Sequence, residues 1–170
     1  TAQGDLLFAV HAGHGEFSRI VIAPGTPQQA FSLTADALNL TERYQTPVLM
    51  LLDKHLDESF YMTPQMKSAD ISIDRGKIAQ KTEDDSQKMR YEISEEGISA
   101  RWFPGDQIST FYANSDEHTP KGYSTEDATD ISKMIAKRLA KTQTIIKQIP
   151  DPLILGDKDA EVKIVTWGSN

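Results

Sequence analysis

Two short apolar runs joined by one amphipathic stretch constrain the fold more than any other feature of this sequence. Residues 20–23 and 48–52 are uninterrupted apolar runs. Between them, residues 26–29 form a helix-start signal, with a capping hydroxyl, a proline at the first helical position and a glutamine where a capping box needs one. Thr46-Pro47 predicts the end of this helix. The pattern predicts a right-handed βαβ unit of a parallel sheet, with a helical hairpin as the alternative.

The segment before this unit predicts a further helix and implies a further strand. Asp5 is suited to cap or open a short helix that reaches about His11, and the glycine-containing residues 12–15 break it. A helix that leads directly into a strand at Ile20 needs a strand before it. Because the sequence begins with Thr1 rather than Met, we expect that strand to lie upstream of Thr1 and the chain to start in mid-structure.

The topology places candidate binding residues at one edge of the predicted sheet. Ligands of open parallel sheets bind beyond the carboxyl ends of the strands. Asp53-Lys54-His55 follow the second apolar run, and Gln3 and Asp5 follow the expected upstream strand. His14 precedes a strand and therefore belongs to the opposite edge. Asp5 is thus the better site candidate, while residues 53–55 are also compatible with an ordinary solvated loop.

A second candidate site is the group His11, His14 and Glu16. Two histidines and one carboxylate are suitable zinc ligands. The spacing differs from the helical pair of a metalloprotease, and Gly13 and Gly15 prevent a rigid helical presentation. We therefore predict that these side chains line a loop and do not form a zinc site.

The remainder of the chain predicts a polar connector, a long helix and a final strand. Residues 89–93 and 98–102 flank residues 94–97, which predict a hairpin or a turn. A helix is expected from Ser124 to the prolines that begin at Pro150, and a strand at residues 162–169. The predicted apolar face of the helix comprises Ile131, Met134, Ile135, Leu139, Thr142, Ile145, Ile146 and Ile149, with Lys133, Lys137, Lys141 and Lys147 mostly outside it.

Composition excludes several classes of protein. The formal net charge is −7 and no basic stripe is present, which argues against nucleic acid and anionic membranes as partners. The chain has no Cys, so it cannot itself ligate an iron–sulfur cluster through thiolates or form disulfides. No apolar run is long enough for a membrane span and no signal peptide is recognisable, so we expect a cytoplasmic protein.

Eight blocks of sequence together resemble the α subunit of 2-oxoacid:ferredoxin oxidoreductases, especially the 2-oxoglutarate type. They occur in the family's order and cover nearly the whole chain, and the ordered set is more specific than any one block. The blocks are QGDLLFA at 3–9, AGHGEF at 12–17, IAPGT at 22–26, QTPV at 45–48, EGIS at 96–99, ANSDEH at 113–118, YSTED at 123–127 and VTWGS at 165–169.

The resemblance implies part of a thiamine diphosphate enzyme. Such enzymes decarboxylate a 2-oxoacid oxidatively, form an acyl-coenzyme A and pass electrons through iron–sulfur clusters to ferredoxin. The fold it implies is α/β, a partial doubly wound parallel sheet with an irregular β-containing connector. The partners it implies are a β subunit that binds the diphosphate and Mg²⁺, other cluster-bearing subunits, and ferredoxin.

The resemblance also implies a division of the chain and of its site. Residues 1–60 would be the back half of a pyrimidine-binding domain, 61–123 a connector with a hairpin, 124–150 a long amphipathic helix, and 151–170 the start of a transketolase-C-terminal-like domain. The activating glutamate and the arginine for the substrate carboxylate would lie upstream of Thr1. Only Thr1, Gln3 and Asp5 carry over, as neighbours of the cofactor, and the chain alone would bind no cofactor tightly.

Two other functions remain compatible with the residues. The chain could be a non-catalytic α/β scaffold that packs against a catalytic partner. It could also be a metal-dependent hydrolase that uses His11, His14 and Glu16, and metal analysis distinguishes this class from the other two.

Overall fold

The computed structural model describes residues 4–168, and its regular elements are four α-helices, one 3-10 helix and two β-strands. In chain order they are α1 (Asp5–His11), β1 (Ile20–Ile22), α2 (Pro27–Tyr44), β2 (Val48–Met50), α3 (Lys54–Glu58), the 3-10 helix Ser68–Asp70 and α4 (Ala128–Gln148). The predicted α/β class is confirmed. The predicted Thr1, Gln3 and the last two residues of the chain lie outside the described residues.

The two strands form a parallel pair connected by α2, as the sequence predicts. Ile20 pairs with Val48 and Ile22 with Met50. Both strands are shorter than the apolar runs that predict them, and of their residues only Ile20 is fully buried. Ile20 is therefore the strand residue that belongs to the buried core cluster.

The ends of α2 follow the predicted signals. Thr26 Oγ1 accepts a hydrogen bond from Gln29 N at 3.1 Å, and Pro27 occupies the first helical position. Gln29 Oε1 accepts from Gly25 N at 2.8 Å, one residue before the position that an ideal capping box would use. Gln45, in the left-handed region with φ of 50°, ends the helix immediately before Thr46.

The connector between α3 and α4 contains tight turns and only isolated β-bridges among the described residues. The predicted turn is present, since Gly97 N donates to Ser94 O at 3.1 Å. The predicted hairpin is wrong, because Arg101 pairs instead with the segment around Ile78: Arg101 N donates to Lys77 O at 3.0 Å. A side-chain bond from Ser99 Oγ to the Glu92 carbonyl at 2.8 Å replaces a backbone ladder across the turn.

The position of α4 corrects the predicted apolar face. The helix begins at Ala128, because the Asp127 carboxylate accepts from the two amides that follow, and it ends before Pro150. Its buried residues are Met134 and Ile145, whereas Leu139 is 51% exposed. Ile146 and Ile149 are also exposed and Ile131 and Ile135 are half-buried. The described residues therefore do not bury this face as a whole, and its burial against a partner stays a prediction.

The buried face of α4 differs from the predicted one because two lysines of the helix face the packed segments. Lys137 and Lys141 are half-buried and donate hydrogen bonds to backbone carbonyls of the packed segments. At about 100° per residue, these lysines flank Met134 and Ile145 on the helix surface, while Leu139 lies well round to the other side. Hydrophobic periodicity places lysines on the exposed face of a helix. It contains no information about backbone carbonyls from distant segments that accept hydrogen bonds from these lysines.

The core is a single small cluster where four segments meet. Ile20 of β1, Tyr44 of α2, Ile98 of the connector turn and Ile145 of α4 pack together, with Tyr44 fully buried. Gly97, with φ of 74°, brings the turn so close to α4 that a Cβ there would lie 2.5 Å from Lys137 O. The core thus lies next to the edge of the sheet where the strands begin.

The C-terminal segment carries no regular secondary structure in its described residues, 151–168. The predicted strand at 162–169 is therefore not formed by the part of it that is described. This segment exposes a series of apolar side chains: Leu153, Ile154, Leu155, Val162, Ile164, Val165 and Trp167. Among the described residues, no helix has the length and apolar character needed to cross a membrane.

Candidate functional site

The carboxyl edge of the two strands is built from loops that follow β1 and β2. Pro24 is fully buried after β1, and Gly25 is held by the Gln29 side chain. After β2, Asp53 Oδ1 accepts from Leu56 N at 2.9 Å and so caps α3. The glutamine and aspartate fix both loops locally, which makes this edge a defined surface.

The predicted candidates Lys54 and His55 lie on α3 at this edge and are engaged in local contacts. Lys54 Nζ lies 3.4 Å from the Glu58 carboxylate, an exposed pair that contributes little to stability. His55 meets the ring of Tyr61 edge-on at 6.0 Å, and the Tyr61 hydroxyl donates to the His55 carbonyl at 3.3 Å. Residues 53–55 thus form the capped start of α3 rather than the solvated loop given as the alternative.

The C-terminal segment returns to the same edge. A Cβ built on Gly25 would overlap the carbonyl oxygen of Gly168, and a Cβ on Gly168 would lie 3.0 Å from Asp53 Oδ2. Gly168 also has φ of 74°, in the region that favours glycine. No signal in the sequence near Gly168 predicts a contact with the loops after β1 and β2.

Asp5 begins α1, and His14 lies in the loop between α1 and β1. Arg19, directly before β1, donates from Nη1 to the carbonyl of Val10 at 3.0 Å, which ties the end of α1 to the start of β1. Helix α1 packs on β1, and the location of Asp5 at the carboxyl edge and of His14 at the opposite edge stays a prediction. Asp5 and His14 are both exposed.

The histidine-rich loop is tied to α4 through Glu16. Arg138 Nη2 donates to Glu16 Oε1 at 2.8 Å and to Glu117 Oε2 at 2.6 Å. The Arg138 guanidinium lowers the pKa of both carboxyls, and these two bonds raise the pKa of the arginine. Glu16 is therefore a structural partner of α4 in this arrangement.

The metal alternative has no support in this arrangement. Within residues 4–168, no group of three or more His, Asp and Glu side chains is arranged to hold a metal ion.

A parallel βαβ unit with ordered loops at its carboxyl edge is typical of α/β domains that bind a ligand or cofactor at that edge. Residues 1–137 match the family described as pyruvate flavodoxin/ferredoxin oxidoreductase, thiamine diphosphate-binding. This match covers most of the chain, and the chain belongs to that family. The resemblance seen in the eight sequence blocks is confirmed.

Relatives with curated names agree with this assignment. The chain is 40% identical, over 99% of its length, to the α subunit of 2-oxoacid:ferredoxin oxidoreductase 1 from Sulfurisphaera tokodaii, and 41% identical to an α subunit from Saccharolobus solfataricus. It spans 27% of the length of each of these relatives.

A solved structure has the same fold. It is the 2-oxoglutarate:ferredoxin oxidoreductase from Magnetococcus marinus with 2-oxoglutarate, coenzyme A and succinyl-CoA bound. The match has a TM-score of 0.79 and 31% sequence identity, and covers 92% of this chain and 27% of that one.

Proposed function

We propose that this chain is part of the α subunit of a thiamine diphosphate-dependent 2-oxoacid:ferredoxin oxidoreductase. The observation that carries the proposal is the 40% identity, over 99% of the chain, to a protein named as such an α subunit. The match of residues 1–137 to a thiamine diphosphate-binding family supports the cofactor.

The proposed reaction is oxidative decarboxylation of a 2-oxoacid, with 2-oxoglutarate as the preferred substrate. Carbon dioxide leaves, the acyl group is transferred to the thiol of coenzyme A, and the released electrons reduce ferredoxin through iron–sulfur clusters. Thiamine diphosphate, when bound, supplies the carbanion that attacks the 2-oxo carbon. The bound ligands named for the Magnetococcus marinus enzyme support 2-oxoglutarate and coenzyme A.

In the proposed complex, this chain forms one side of the cofactor-binding cleft. Residues 1–60 are the back half of the pyrimidine-binding domain, and Thr1, Gln3 and Asp5 are neighbours of the cofactor at the carboxyl edge. The activating glutamate and the substrate-binding arginine lie outside the chain. A β subunit holds the diphosphate and Mg²⁺, and partner subunits hold the clusters, which agrees with the absence of Cys.

The other proposed segments follow in chain order. Residues 61–123 are the connector, 124–150 contain the long helix, and 151–170 open a second α/β domain. The exposed apolar residues of 151–168 support this last assignment, because a second domain would bury them. The complex is proposed to be cytoplasmic.

The test is an assay of the intact α subunit with its co-purifying partners. We expect reduction of a viologen dye by 2-oxoglutarate that depends on coenzyme A and on thiamine diphosphate. Pyruvate, tested at equal concentration, measures the substrate preference. The 170-residue chain alone serves as the control and should give no turnover, since the diphosphate ligands and clusters are assigned to other chains.

Two results would contradict the proposal. If a folded complex that contains its cofactor and clusters fails to reduce the dye with every 2-oxoacid tested, the proposed reaction is wrong. Turnover by the isolated chain would contradict the proposed division of labour, because the diphosphate ligands and the clusters are assigned to other chains.

A further inference from the structure

Three half-buried cations meet where α2 ends. Arg90 Nη2 donates to Gln45 Oε1 at 2.9 Å, and Lys141 Nζ donates to Gln45 O at 3.0 Å. Lys137 is one helical turn before Lys141 on α4 and donates to the carbonyl of Tyr91 at 2.9 Å. All three side chains therefore point at the same small region, next to the edge where β2 begins.

These cations differ from three other half-buried cations of the described residues, which have carboxylate partners. Arg101 bonds Glu42, Arg138 bonds Glu16 and Glu117, and Lys88 bonds Asp85. Among the ion pairs of residues 4–168, none involves Arg90, Lys137 or Lys141. Their hydrogen-bond acceptors are neutral oxygens.

The neutral acceptors balance only part of this charge. The carboxyl end of a helix such as α2 is equivalent to roughly half a negative charge, against three formal positive charges here. Arg138 also lies near both lysines, but Glu16 and Glu117 pair with it, and Glu92 offsets part of the positive charge at Lys137. Positive charge therefore accumulates locally on a chain whose net charge is −7.

The titration of the two lysines reflects the same imbalance. Burial, together with the neighbouring cations, lowers the pKa of Lys137 and of Lys141 to about 8 each. Burial also lowers the pKa of Arg90. An anion placed among these groups would favour their charged forms and reverse these shifts.

We propose that Arg90, Lys137 and Lys141 form a binding site for a phosphate group. A guanidinium presents a planar fork of donors that matches two phosphate oxygens, and each ammonium adds a point charge with free donors. A doubly charged anion neutralises more of the accumulated positive charge than a single carboxylate would. The site adjoins the edge where the strands begin, opposite the proposed cofactor edge, so it stands independently of the proposed function.

The experiment is calorimetric titration of the intact protein with inorganic phosphate, at constant ionic strength maintained with chloride. We expect saturable binding that Lys141→Met weakens by about tenfold or more, the effect of losing one charge-assisted hydrogen bond. Lys147→Met is the matched control, because Lys147 is an exposed lysine on the same helix, and it should leave the affinity unchanged.

Two further measurements separate binding from folding. Thermal unfolding in chloride alone reports whether each variant is folded, and Lys141→Arg keeps the charge and should retain phosphate binding. Absence of saturable binding to the wild-type protein would overturn the proposal. Equal weakening of phosphate binding by Lys141→Met and Lys147→Met would also overturn the proposal. It would show that the affinity depends on the overall charge of the chain and not on a specific site.

Discussion

The hydroxyl of Tyr44 donates a hydrogen bond of 2.8 Å to Oε1 of Gln148, which joins the last residue of α2 to the last residue of α4. The Tyr44 ring is fully buried, whereas Gln148 is exposed. Tyr44→Phe keeps the packed ring and leaves a glutamine that water can satisfy, so it should cost about 0.5–1.5 kcal/mol. Tyr44→Ala should cost about 3–5 kcal/mol. Urea unfolding measures both.

A double-mutant cycle with Gln148→Ala isolates the hydrogen bond from the packing. Tyr44→Phe should be nearly without effect in the Gln148→Ala background, because the partner is already gone. Additive losses would show that the hydroxyl stabilises the fold through some other group.

The orientation of α4 is tested by a pair of alanine substitutions. Ile145 is 4% exposed and belongs to the core, so Ile145→Ala should cost about 2–5 kcal/mol. Leu139, which sequence periodicity assigned to the buried face, is 51% exposed, and Leu139→Ala should cost well under about 1 kcal/mol. Comparable losses for the two variants, measured by urea unfolding of the same chain, would show that the helix is rotated relative to this structure.

The close contact at Gly97 is tested against a second glycine with similar backbone geometry. Gly97 and Gly15 have φ of 74° and 78°, so alanine at either costs about 1–2 kcal/mol for the left-handed backbone. At Gly97 the added methyl would also meet the backbone of α4, while Gly15 has open space around it. Gly97→Ala should therefore lose clearly more stability in urea than Gly15→Ala, and equal losses would contradict the close approach.

The local elements of this fold were predictable because their signals are short-range. Thr26 and Pro27 specify the start of α2 through a cap and a fixed backbone angle, and Asp127 acts in the same way for α4. The parallel pairing of β1 and β2 follows from two apolar runs separated by one helix. None of these inferences needs knowledge of a distant contact.

The errors of prediction come from contacts that are distant in sequence. Ser99 bonds across its turn while Arg101 pairs with the segment around Ile78, which removes the expected hairpin. Lys141 meets the carbonyl of Gln45, 96 residues earlier, and this contact turns α4 away from its expected face. At the candidate site, the approach of Gly168 to Gly25 had no local signal for the same reason.

The two inward lysines predict a specific dependence of stability on pH. The pKa of Lys137 and of Lys141 is lowered to about 8 in the folded chain, against about 10.4 for an unperturbed lysine. Between these two values the unfolded state binds more protons, so these lysines make the free energy of unfolding increase with pH across that window. Below it, their unfavourable contribution is fully present.

The measurement is urea unfolding in chloride buffers at several pH values across the same window. The difference in unfolding free energy between wild type and Lys141→Met should change with pH, because the variant lacks one of the two shifted groups. The corresponding difference for Lys133→Met, an exposed position on α4, should stay flat. A flat difference for Lys141→Met would show that its ammonium is as well solvated in the folded chain as in the unfolded one.

The last prediction concerns the two edges of the sheet in the active complex. Asp5 begins α1 and is predicted to lie at the carboxyl edge, where the cofactor is proposed to bind, whereas His14 is predicted to lie toward the opposite edge. Both are exposed, so Asp5→Ala and His14→Ala should have small and similar effects on folding. In the assembled enzyme, Asp5→Ala should lower coenzyme A-dependent turnover of 2-oxoglutarate more than His14→Ala, as measured by steady-state kinetics at matched thermal stability and cofactor content. A larger loss with His14→Ala would mean that the glycine-rich loop before β1, and not the start of α1, faces the reacting groups.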